Sequence, residues 1–194
     1  VILSILICTV KSRSLELNQL LNELDYLIQT EEVQILWLGD NKSMSVGKKR
    51  NKLMSIADGD YLCFVDDDDG IEPDYIKEIL KAIRETQKPV ITFLLKKTEN
   101  GQPARPYRFS REYSGVHVTI KQGDKVFLGY LPGHLCVWKR ELAQGVQFPD
   151  INQSEDHRWA AEIAQKYGMN DQYVIEKELY HYRADKSKSL TRNR

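Results

Sequence analysis

Continuous apolar runs and runs with helical spacing alternate through the first half of the chain. Residues 2–8 (ILSILIC) are apolar and rich in isoleucine, which predicts a parallel strand buried on both faces. From Ser14 onward, Leu17, Leu20, Leu21, Leu24 and Ile28 share one helical face. Residues 33–38 predict a second strand ending at Gly39-Asp40. A helix is expected over 46–57, and Asp58-Gly59 turns into a third strand at 61–65. Pro73 stands where a helix begins, with Ile76, Ile79, Leu80 and Ile83 at helical spacing behind it. Residues 90–95 open the next strand.

This alternation predicts an α/β fold with a mostly parallel central sheet. Ligands of such sheets bind at the carboxyl ends of the strands. Thr9, Asp40 and Asp66 to Asp69 all fall at such ends and should share one rim. Residues 96–131 change character, with turn signals at Glu99-Asn100-Gly101 and Gln122-Gly123-Asp124 and a β-branched run at 116–120. They predict a small antiparallel insertion. Helical spacing returns at 139–143 and 156–167, and the chain finishes in the basic, polar YHYRADKSKSLTRNR.

Composition narrows the classes little further. A length of 194 residues predicts one domain. Lys+Arg and Asp+Glu both number 28, so no global field recruits nucleic acid or an anionic membrane. Cys8, Cys63 and Cys136 lie far apart in apolar contexts, without metal-ligand spacing. They predict reduced, buried thiols in a cytoplasmic protein. VILSILICTV has no basic leader and is too short to span a bilayer, so no transmembrane segment is expected.

The chemistry concentrates in YLCFVDDDDGIEPD, residues 61–74, where a strand ends in four adjacent carboxylates. A solvated acidic turn is one reading. An EF-hand fails, because Gly70 at the sixth loop position puts Val65 at the first and Ile76 at the twelfth. A hard-cation site is the third: magnesium or manganese takes one or two carboxylates and completes its shell with water and phosphate oxygens. Arg50 shares a helical face with Val46, Leu53, Met54 and Ala57, so it should point inward, unlike Lys48 and Lys49. Asp156 shares a face with Ala160, Ile163 and Tyr167, and Glu155 falls in line with Trp159, Glu162 and Lys166. That phase points Asp156 into the cleft in preference to Glu155.

CFVDDDDGIEPDYI resembles the strand-end acidic motif of family-2 glycosyltransferases with the GT-A fold. The upstream SVGKKRNKLMSIADGDY resembles that family's Gly-x-x-Arg-Asn helix and following strand. The resemblance covers roughly 2–95 and 131–190. It implies a nucleotide-sugar-binding half over 1–95 and an acceptor-binding half over 96–194. It also implies a divalent metal, Mn2+ or Mg2+, held by Asp68 and Asp66, with Asp67 and Asp69 in support. Thr9, Asp40, Arg50, Asp66 and Asp67 would hold the donor, a uridine diphosphate sugar. Glu155-Asp156 resembles the motif carrying the catalytic base of an inverting transfer. His134 in GHLCVWKREL would contact donor or acceptor. His181 and Arg183 would close over the diphosphate, with His181 on the metal.

The short chain resembles transferases of phages, leaving room for a hydroxymethylated DNA base as acceptor beside a glycan or lipid-linked sugar. The basic stretches at 48–52 and 183–194 would serve DNA phosphates or a donor diphosphate equally. A nucleotidyltransferase of related fold is the first alternative, although TVKSRS lacks the glycine its loop would carry. A non-catalytic nucleotide- or metal-binding module is the second.

Overall fold

The computed structural model describes residues 1–110, 112–113, 118–168 and 171–184. The predicted alternation is present: β1 (Leu3–Val10), α1 (Ser14–Leu27), β2 (Val33–Asp40), α2 (Val46–Ile56), β3 (Tyr61–Phe64), α3 (Tyr75–Thr86) and β5 (Val90–Glu99). A two-residue strand, β4 (Gly70–Ile71), follows the acidic stretch. The insertion forms β6 (Gln102–Phe109), β7 (Val118–Gln122) and β8 (Lys125–Tyr130). Then come β9 (Val137–Lys139), α4 (Arg140–Gln144), α5 (Glu155–Tyr167) and β10 (Gln172–Ala184). The run expected at 116–120 is described only from Val118, and the basic residues 185–194 lie outside the described residues.

The strands form one sheet in the order β2-β1-β3-β9-β5-β6-β8-β7. β1 pairs in parallel with both β2 and β3, in line with the continuous apolar runs. Every side chain of β1 except Cys8 is buried on both faces, and all four of β3 are. Two features depart from the simple alternation. β9 wedges antiparallel between β3 and β5 through Trp138, which pairs with Leu62 on one side and Val90 on the other. β10, a strand of 13 residues, runs parallel along the other edge of β5 and also pairs β4 through Tyr180 and His181.

β5 and β6 are joined by a tight hairpin at Asn100-Gly101, both at positive φ (49° and 80°), as the twist of a two-residue hairpin requires. The insertion therefore grows directly out of the parallel strand it extends. Beneath β9, Trp159 of α5 stacks on Phe148 with ring centres 4.7 Å apart and meets Trp138 edge-on at 5.2 Å. The Trp159 indole N–H donates to the carbonyl of Val146 at 3.0 Å, so this buried ring leaves no polar atom unpaired. That packing fixes α5 one turn below its first residue, Glu155. No helix among the described residues is long and apolar enough to cross a membrane.

Candidate functional site

The carboxyl ends of β1 and β3, the start of α5 and the end of β10 enclose a cleft of about 510 Å³. Asp66 to Asp69 form its floor, and each carboxylate is held differently. Asp66 lies 3.2 Å from Nη2 of Arg50 and 3.4 Å from Nε2 of His134. Asp67 accepts from the Thr9 hydroxyl at 2.7 Å and from Arg13 at 2.6 Å. Asp68 meets the other terminal nitrogen of Arg13 at 3.0 Å. Asp69 accepts from the Tyr180 hydroxyl and the backbone N–H of Arg183, both at 2.8 Å. Tyr180 Oη in turn accepts the backbone N–H of Asp66 at 3.1 Å, so one phenol fixes both ends of the loop.

These surroundings split the four acids. Burial would raise the Asp66 carboxyl, but Arg50 and His134 outweigh it and hold the group well below the usual range. Burial pushes Asp68 up to about 6, with Asp66 and Asp67 adding to the rise against the pull of Arg13. Asp69 is pushed well above its ordinary value by burial and by Asp66. Four crowded, buried carboxyls thus resist ionising together, and Asp68 and Asp69 take the rise.

Arg50 is the hub between the floor and α5. It is 3% exposed, its guanidinium carbon lies 4.8 Å from the Phe64 ring centre, and its Nε is 3.4 Å from Glu155. Its Nη1 is buried without a hydrogen-bond partner among the described residues. Such a donor, on a residue lining the cleft, is a place for an anionic ligand atom. The motif around it explains itself locally. Gly47 has no room for a side chain, because a Cβ would lie 1.9 Å from the Pro149 carbonyl oxygen. Asn51 clamps Phe148 through two reciprocal hydrogen bonds of 2.9 Å. The backbone N–H of Val46 donates to Asn152 at 3.0 Å. Together these contacts lock α2 to the loop that delivers α5.

At the start of α5, Ser154 occupies the left-handed region (φ 59°), a strained turn that brings the next two carboxylates into the cleft. Here the expected phase is corrected. The buried side of α5 carries Glu155, Trp159, Ala160 and Ile163, and Tyr167 is exposed. Glu155 is thus the deeper residue, committed to Arg50. Asp156 sits at the rim, its side chain 30% exposed and Oδ2 3.6 Å from Nδ1 of His134. The His134 ring stands between Asp66 and Asp156, edge-on to Phe64.

Thr9, Arg50, Asp66 to Asp69, His134, Glu155, Asp156 and Arg183 are therefore brought together. Asp40 and His181 are not among the residues lining the cleft. The Asp40 carboxylate is spent on its own loop, accepting from Met44 N–H at 2.7 Å and the Ser43 hydroxyl at 2.8 Å and pairing with Lys49. His181 turns its Nε2 to the Thr98 hydroxyl at 3.0 Å. Lys49 corrects another expectation: it is 2% exposed, and its ammonium donates to the Thr9 carbonyl at 2.7 Å. The start of α2 is pressed between two strand ends and the 149–152 loop, so adjacent residues 49 and 50 both point inward. Arg13 was not foreseen at all. It closes the short 3-10 turn Lys11–Arg13 after β1, and only its position four residues beyond Thr9 marks it in sequence.

The donor set suits a hard divalent cation shared with a ligand. Among the described residues no group of three or more His, Cys, Asp or Glu side chains could hold an ion by itself. Asp66 and Asp68, each 29% exposed, are the floor carboxylates most open to the cleft. Arg13, Lys49, Arg50 and Arg183 line the cleft beside six carboxyl groups, Asp66 to Asp69, Glu155 and Asp156.

The chain superposes on S. aureus TarS 1-349 with a TM-score of 0.68 at 18% identity, over 94% of this chain and 60% of that one. The complexes of that TarS fragment with UDP-GlcNAc and with UDP match at the same TM-score and identity, over 94% and 95% of this chain. The chain thus spans about three-fifths of the length of these structures, and the likeness is one of fold. No curated protein matches the sequence. The family model for glycosyl transferase family 2 matches residues 17–146, from α1 through the acidic floor to the end of α4, and the chain belongs to that family.

Proposed function

We propose that this chain is a metal-dependent, inverting glycosyltransferase that moves a sugar from a uridine diphosphate sugar to an acceptor hydroxyl. The observation that carries the reading is the convergence of two carboxylate groups, far apart in sequence, on one cleft. The rigid floor Asp66 to Asp69 suits a metal diphosphate, and the rim carboxylate Asp156 suits a base. Family membership and the binding of UDP-GlcNAc and UDP by TarS support the donor class.

Asp68 and Asp66 would hold a magnesium or manganese ion, which would supply positive charge to offset the negative charge building on the leaving phosphates. Arg50, Arg13 and Arg183 add positive charge around the same group. Thr9 lines the cleft with its hydroxyl spent on Asp67, which suits it to shaping the nucleotide side. Asp156 takes the proton of the acceptor hydroxyl as that oxygen bonds to the anomeric carbon. The bond from that carbon to the phosphate oxygen breaks, its electron pair leaves with the nucleoside diphosphate, and no covalent sugar–enzyme species forms. Glu155 keeps Arg50 in place, and His134 spaces Asp156 from Asp66.

In this reading residues 1–95 serve the donor, and the later segments serve the acceptor. Tyr182 and His157 line the cleft and continue outward into Tyr107 and Tyr130, whose ring centres are 4.7 Å apart. Lys97 lies over Tyr107 at 5.0 Å and pairs with Glu99. An aromatic edge of this kind suits stacking on a saccharide acceptor.

The test is thermal stability against nucleoside diphosphates and their sugars, with and without Mn2+. A ligand that binds only the native state raises the melting temperature. A manganese-dependent shift with one diphosphate, lost in Asp68→Ala, is expected. No shift from any of them would overturn the proposal.

A further inference from the structure

Asp68, one of the two carboxylates best placed to take a metal, is already paired with a cation from the turn after β1. Arg13 extends from the turn after β1 and is only 12% exposed. Its two terminal nitrogens part between neighbours, one 2.6 Å from Asp67 and the other 3.0 Å from Asp68. A guanidinium forked across two carboxylates makes directional, charge-assisted hydrogen bonds that a lysine could not reproduce. Thr9, from the strand that delivers Arg13, holds the other oxygen of Asp67 at 2.7 Å. Asp67 is thereby fixed from two positions of one segment. Asp68 depends on Arg13 and opens to the cleft.

A divalent ion that takes Asp68 must displace one arm of this fork. The displaced arm would stay in a largely buried position and give up its ion pair with Asp68. The diphosphate of a nucleotide-sugar supplies acceptor oxygens at that place, since Arg13 lines the same cleft as Arg50 and Arg183. The metal alone therefore pays the loss of the Asp68 contact, and the metal with a diphosphate recovers it.

We propose that Arg13 is the resident cation of the acidic floor, holding Asp67 and Asp68 until a divalent ion and a nucleoside diphosphate arrive as a pair. Arg13 then exchanges Asp68 for a phosphate oxygen. The two ligands strengthen one another by the same factor, as linkage requires, and Arg13 contributes to that factor. This rests on the metal-dependent reading of the site.

The experiment measures Mn2+ affinity from the spectrum of the free ion, with and without UDP, on wild type, Arg13→Gln, Arg13→Lys and Asp68→Asn. Far-ultraviolet circular dichroism confirms that each variant is folded. In wild type, Mn2+ alone should bind weakly and UDP should tighten it at least about tenfold, equivalent to about 1.4 kcal/mol. Arg13→Gln should bind Mn2+ alone about tenfold more tightly than wild type and show a correspondingly smaller UDP effect. Arg13→Lys, which can hold one carboxylate but not fork across two, should fall between them. Unchanged or weaker Mn2+ binding in Arg13→Gln, with UDP coupling intact, overturns the role of Arg13 while leaving the metal site standing. Absence of Mn2+ binding in every protein, with UDP present, overturns both.

Discussion

The two groups of carboxylates in the cleft are built in opposite ways. The floor, Asp66 to Asp69, follows a strand buried on both faces, and each side chain is tied to an element remote in sequence. The rim residue Asp156 stands on the first turn of a helix, 30% exposed, with the His134 ring at 3.6 Å as its one ion-pair neighbour among the described residues. A template for a metal diphosphate gains from rigidity, because its ligands must not relax toward one another when the ion leaves. A base must reach a hydroxyl that arrives from solution, and a side chain bound into a lattice cannot do so. Glu155 marks the boundary, one residue away in sequence but locked to Arg50.

Substitutions can break this contrast, and the largest effect is expected at the rim. Asp156→Asn should lower kcat roughly 10²- to 10⁴-fold, the usual range for a general base, with donor binding changed by less than about twofold. Steady-state kinetics beside donor calorimetry checks it. Asp68→Ala should do the reverse at the floor, weakening metal-dependent donor binding by on the order of a hundredfold. Calorimetry with and without Mn2+ reads that loss directly.

Smaller effects sharpen the boundary. Glu155→Gln removes the charge that Arg50 Nε faces in a buried setting, and should cost about 1–3 kcal/mol in urea unfolding. Tyr180→Phe removes the bond to Asp69 and leaves the Asp66 N–H unpaired, an expected loss of about 1 kcal/mol by the same measurement.

The floor should also show itself in the pH dependence of the metal-free protein. The Asp68 carboxyl titrates at about 6 when folded, against 3.8 in an unperturbed chain. The native state therefore holds more protons across that window, and Asp68 reduces stability as pH rises through it. Asp66, whose value is depressed, contributes the opposite: stability present at neutral pH and lost on acidification. Asp68→Asn should thus stabilise the metal-free protein at pH 7 by on the order of 1 kcal/mol, allowing for screening of a partly exposed group. The gain should vanish below about pH 4, as unfolding curves across pH would show.

Much of the fold was legible because β1, β3 and β5 are apolar runs and α1 and α3 keep a clean helical face. β10 was not, because its burial is irregular. Glu176 and Lys177 interrupt it where its register with β5 shifts, and the segment reads as a polar tail. β9 is too short, at three residues, to declare itself between β3 and β5. At the site, the acidic residues were readable as adjacent carboxylates at a strand end, with a cation site as one of the readings. Their partners were not. Lys49 and Arg13 look like surface cations until two strand ends and a loop close around them. The phase of α5 misled because Tyr167, counted as inward, stacks on the surface beside Lys166. Trp159, the ring that does pack inward, falls in line with Glu155.

The central claim is that one cleft separates donor binding at its floor from proton removal at its rim. The most direct test measures donor affinity and turnover together, with Mn2+, in wild type, Asp68→Ala and Asp156→Asn. Asp156→Asn should bind the uridine diphosphate sugar like wild type and turn it over at least about a hundredfold more slowly, and Asp68→Ala should bind it on the order of a hundredfold more weakly. Equal loss of binding in both variants, or turnover near the wild-type rate in Asp156→Asn, would contradict the account.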